Sequence, residues 1–240
     1  MTLFEIIVVL HVLAGTTGLI AFWIPIAARK GGVSHRKWGR VASLAFMTAG
    51  ALAIAMALLS LYGHEQRLPM IKDRVLFRGL FGWMMLYLGI LTISFADYGL
   101  SVVRHRARRA GLRTARHQVI FAAVIVSALN CGVYGLTTGE PLMALVALIG
   151  LVAVTTQLFY IWRPNVAHGA HVAEHFRSLL GMGISAYTAF LSVGLIRMVP
   201  DHVFNPVIWA IPSTVGVGLI LAFTLKARKP GASARFTTIR

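Results

Sequence analysis

Residues 141–162 read PLMALVALIGLVAVTTQLFYIW, with Glu140 before them, Arg163 after them and no charged side chain between. Coiled as an α-helix, this run is about 33 Å long, which matches the hydrocarbon thickness of a bilayer. A helix that is apolar all round has no face to turn to water, so it belongs in a large core or in lipid. Composition decides between the two. Hydrophobic residues make up 58% of the 240-residue chain and charged residues 12%, and the mean hydropathy is +0.76. An ordinary soluble domain is about 45–50% apolar and about 25% charged. No core of this size absorbs the difference, so lipid must solvate it.

The same pattern recurs along the chain. Apolar runs long enough to span occur at Leu3–Ala28, Gly39–Tyr62, Val75–Leu100, His117–Thr137, Pro141–Trp162, Phe176–Val199 and Pro206–Lys226. The joins between them are short and carry helix breakers, as in RKGGVSHRK, TTGEP and PDHVFNP. None shows the ten-residue alternation of an outer-membrane barrel. The expected fold is therefore all-α, a polytopic bundle of seven transmembrane helices. A single transmembrane domain covers 1–228, followed by a basic tail at 229–240.

Charge sets the expected orientation, because cytoplasmic loops retain Lys and Arg. Of the 23 basic residues, all but Arg67, Lys72, Arg74, Arg78 and Arg197 fall in joins on one side or in the tail. Glu5, Glu65, Asp73, Glu140 and Asp201 fall on the other side. The N-terminus is thus expected outside and the C-terminus inside a bacterial plasma (inner) membrane. Trp23, Trp38 and Trp162 are expected at the inner interface and Trp209 at the outer one.

The net charge of +16 and the run RHRARRAGLRTARH raise nucleic acid as a partner. A basic loop beside a membrane meets anionic lipid head groups first, however, and nothing else in the chain resembles a nucleic-acid module. The expected partners are the bilayer and its anionic head groups on the cytoplasmic face, not nucleic acid. The sequence does not define an oligomeric state. Cys131 is the single cysteine, which excludes an internal disulfide and a Cys-rich cluster. MTLFEIIVVL lacks the basic start of a signal peptide and carries Glu5.

Polar residues inside or beside the spans are the functional candidates. Three inward-starting helices open similarly, with SHRKWGR, ARHQVIF and AEHFRSL, which puts His35, His117 and His175 at one depth. Imidazole ligates haem iron, zinc or copper and titrates near neutrality. These three are the candidate cofactor ligands, with Arg36 and Arg177 near enough in sequence to pair haem propionates. Haem b is the leading cofactor and zinc the second. The stretch HGAHVAEH (168–175) reads as an interfacial loop entering the sixth helix. Within it, His171 and His175 form an H-x3-H pair with zinc-like spacing, although Val172 stands where a zinc protease has its Glu.

A second layer lies deeper. His11 is about 12 Å into the first helix, where an ionisable residue is costly and marks a candidate site. Asn130, Tyr134 and Thr214 fall at similar depth, giving a candidate intramembrane polar site with His11. Pairs of glycines (Gly15 and Gly18, Gly181 and Gly183, Gly216 and Gly218) are read as packing positions. No carboxylate is expected deep in the membrane, since Asp97 falls at the inner end of its span. A retinal protein is excluded because the seventh helix has only Lys226, at its end.

His11-x3-Gly15 in the first helix and His35-Arg36-x2-Gly39-Arg40 opening the second resemble the bacterial membrane proteins grouped as domain of unknown function 2306. His175-Phe176-Arg177 followed by GMGISAYTAF is similar to that family's closing helix. Val41 and Ala42 depart from the aromatic residue that often follows the Gly-Arg pair there. The resemblance implies a helical membrane architecture and directs attention to His11, His35 and His175; it implies no reaction.

Three kinds of function fit these residues. The first is haem b or metal binding with an electron-transfer role, built on the inner histidines. The second is a small-solute or proton transporter or channel built on His11. The third is a zinc-dependent membrane hydrolase or a non-catalytic membrane subunit. Whether the chain is an enzyme is not decided by its sequence.

Overall fold

The computed structural model describes residues 3–63, 74–167, 169–191 and 206–228, and within them the chain is helical with no strand. Seven long helices follow one another: α1 (Leu3–Ala27), α2 (Val33–Tyr62), α3 (Arg74–Arg104), α4 (Ala115–Thr138), α5 (Pro141–Trp162), α6 (Ala170–Ala189) and α7 (Pro206–Arg228). A 3₁₀ turn at Arg109–Leu112 links α3 to α4, and α3 widens to π-helical geometry over Arg78–Met84. All but α6 are long and apolar enough to cross a membrane, so this is a multi-pass membrane protein. The expected end of the sixth span at Val199, and the expected tail at 229–240, lie outside the described residues.

Two helices begin earlier than their apolar runs. α2 starts at Val33 instead of Gly39, and α6 at Ala170 instead of Phe176. The HGAHVAEH stretch is therefore helix from Ala170 onward rather than a loop, and His168 lies outside the described residues. Backbone hydrogen bonding does not stop where the hydrocarbon does. A span read from hydropathy alone therefore loses the polar turns at its head-group end. The α4–α5 hairpin shows the opposite, a sharp stop. Gly139 closes α4 in the left-handed region at φ +82°, and Pro141 opens α5, where its missing N–H costs nothing.

α3 forms the axis of the bundle. In its apolar window 78% of residues are buried, against 17% for α1 and for α7. It packs on α2, α4 and α6, while α1 lies on α2, α5 on α4 and α7 on α6. The closest approach is at Gly50 and Gly89: a Cβ on Gly50 would stand 2.9 Å from the Gly89 carbonyl, and one on Gly89 would stand 2.8 Å from the Gly50 carbonyl. Glycine is what allows these two backbones to touch. Gly18, Gly181, Gly183 and Gly216 also face neighbouring side chains closely, whereas Gly15 and Gly218 face open space.

The outward faces are apolar. Leu13, Ile20, Val119, Leu136 and Leu225 are each more than 60% exposed. Spread around every outer helix, such a surface suits lipid and not water. Trp23, Trp38 and Trp162 are exposed near the α1–α2 and α5–α6 ends, as aromatic anchors require. Trp209 is instead buried, 4% exposed, and belongs to the core rather than to an aromatic belt.

Candidate functional site

The joins α1–α2, α3–α4 and α5–α6 gather at one end of the bundle with most of the arginines, here called the basic end. There the last turns of α3 become polar: Asp97, Tyr98 and Ser101 are all buried within an otherwise apolar helix. Helices α4 and α6 bring polar partners to this segment.

His175 of α6 sets its Nδ1 2.7 Å from the Gly99 carbonyl of α3. Gly99 permits that approach, since a Cβ there would stand 2.8 Å from Leu179. His35, in the first turn of α2, sets its Nδ1 3.0 Å from the Pro25 carbonyl. That carbonyl lies in the last turn of α1, where no helical N–H follows to bond it, and Lys30 Nζ donates to it as well. Lys30 also lies over the Phe223 ring, and burial together with the nearby Lys226 charge pulls its pKa below the ordinary lysine value. A carbonyl cannot donate, so both imidazoles donate from Nδ1, and the neutral form of each ring has its lone pair on Nε2. The two rings meet edge to face, with centres 6.3 Å apart and planes at 62°.

The third inner histidine is elsewhere. His117 stands at the start of α4 with its Nδ1 2.8 Å from the hydroxyl of Thr114, the residue before the helix. Its Nε2 lies 3.4 Å from Asp97, which also pairs with Arg116. His117 therefore serves the α3–α4 contact, not the His35–His175 pair. His171 lies one turn before His175, and among the described residues no three His, Cys, Asp or Glu side chains converge as a metal site. Arg177, expected to be available to an anionic group, pairs with Glu174 at 2.9 Å, while Arg36 is exposed.

The deeper layer is dispersed. His11 Nδ1 lies 2.8 Å from the Ala49 carbonyl of α2. Asn130 turns outward and donates to Val126 on its own helix. Tyr134 donates to the Val75 carbonyl of α3, and Thr214 is exposed on α7. His11 faces α2 and Tyr134 faces α3, while Asn130 and Thr214 are exposed, so the four form no common site.

The sequence places Asp97 at the inner end of its span but does not predict that it and Glu174 are buried. Besides Asp97, Glu174 is 7% exposed and accepts from Tyr98 at 3.0 Å and from Arg177. Next to them, Gln157 of α5 donates to Ser178, whose hydroxyl donates to the Phe95 carbonyl. The signal was present: each acid has an arginine within reach, one on the facing helix and one at i+3. Replacing Tyr98 by Phe leaves one Glu174 oxygen buried without a donor, at an expected cost of about 1–3 kcal/mol. Thermal unfolding in detergent should show the lower midpoint.

Comparison of the chain with protein-family models, with characterised proteins and with solved structures finds no match.

Proposed function

We propose that this multi-pass protein resides in a bacterial inner membrane with its basic end toward the cytoplasm, and that His35 and His175 would hold a haem b, which would serve electron transfer. The observation that carries this reading is the meeting of two imidazoles, each locked through Nδ1 to a helix carbonyl with Nε2 left to bind. Locking of the distal nitrogen is the usual orienting device of a ligating histidine.

The ring centres of His35 and His175 lie 6.3 Å apart, close enough for both side chains to be recruited to one group. Zinc requires three or four protein ligands, and the described residues supply two at this point. Haem brings four nitrogens of its own and requires only the axial pair. A Cβ on Gly39, one turn beyond His35, would meet only Pro25, at 3.9 Å, so the backbone beside His35 is not crowded. When bound, haem supplies one-electron chemistry at a potential that its ligands and surroundings set. The chain's own part is to fix both rings and to shield the site between α1, α2 and α6.

Elemental analysis of the detergent-purified protein tests the reading. One iron per chain, with little zinc, is expected. Stoichiometric zinc without iron would favour the hydrolase alternative and set the haem aside.

A further inference from the structure

A second site stands apart from the histidine pair and does not depend on its reading. At the basic end a cavity of about 290 Å³ lies between the α3–α4 join and the α5–α6 join, walled by Arg106, Arg109, Tyr160, Gly169, Ala170 and His171. It has room for a tetrahedral anion with several waters, at about 30 Å³ per water.

Its charge is uncompensated. Arg109 is fixed rigidly: it donates to the carbonyls of Tyr160, Arg163 and Pro164 at 2.8–2.9 Å and lies over the Tyr160 ring. Those bonds use three of its five N–H groups and leave two. Arg106 is exposed and forms no ion pair among the described residues. The two buried acids nearby are already taken, Asp97 by Arg116 and Glu174 by Arg177. α6 begins at the same wall with no side chain capping it, and a Cβ on Gly169 would meet nothing within 4 Å. Two guanidinium groups, one of them held in place, around a polar cavity at the head-group level form a phosphate receptor.

We propose that this cavity binds a phosphate group, presented by an anionic phospholipid or as free phosphate. The test uses the full-length protein, delipidated in detergent. Phosphatidylglycerol, phosphatidylcholine and inorganic phosphate are titrated separately, and bound species are read by native mass spectrometry. Phosphatidylglycerol is expected to bind with phosphatidylcholine well behind it. Arg106→Ala should weaken binding about fivefold, and Lys37→Ala, exposed and away from the cavity, should leave it unchanged. The Arg106 side chain bonds no described residue, so its loss should not unfold the chain. Binding of phosphatidylglycerol alone identifies a lipid source, whereas binding of inorganic phosphate that displaces the lipid identifies a free-phosphate site. The proposal is overturned if neither species binds, if Arg106→Ala binds like wild type, or if Lys37→Ala weakens binding equally.

Discussion

Replacing Gly89 by Val is expected to abolish recovery of folded protein, and this should be the most damaging single substitution in the bundle. The added Cβ would stand 2.8 Å from a backbone carbonyl of α2, and 3.0 Å from Ile54. A side chain can rotate away from a clash, but the Gly50 carbonyl is held in its own helix. α2 and α3 must therefore separate along the bundle's axis. Overpacking a core usually costs about 1–3 kcal/mol, and parting two central helices costs more. Size-exclusion chromatography of detergent extracts should show aggregate or no protein. Gly218→Ala is the matched control, because its Cβ meets nothing within 4 Å. It should be neutral or slightly stabilising, by up to about 1 kcal/mol from helix propensity.

The second large effect concerns the inner histidines, which the sequence treats alike and the structure separates. On the proposed haem reading, His35→Ala and His175→Ala should each reduce bound iron at least tenfold, since either change would remove one of the two residues that hold the group. His117→Ala should retain the iron and instead lower thermal stability, because His117 supports the Asp97 contact between α3 and α4. Equal iron loss in all three variants would mean that the separation seen here is wrong. Equal retention would remove the pair from the reading altogether.

The contrast shows what the sequence holds and what it does not. Membrane residence and the helix count were legible, because hydropathy over some twenty residues is a one-dimensional property. Which way each side chain turns was not legible. His175 faces α3, His117 faces Asp97 and Asn130 faces outward, and these directions depend on how the helices are rotated against one another. For the same reason Gly18 packs on Phe46 while Gly15, three residues earlier, touches nothing. The burial of Asp97 and Glu174 was not legible, because each sits at the edge of an apolar run, where a hydropathy window discounts it.

The most direct test of the central claim is the optical spectrum of the purified protein, oxidised and then reduced with dithionite. Ligation by both His35 and His175 predicts a low-spin, six-coordinate haem whose Soret band sharpens on reduction. It also predicts that the band is lost or becomes high-spin in His175→Ala. A sample with no Soret band, or one whose spectrum is unchanged in His175→Ala, would contradict it.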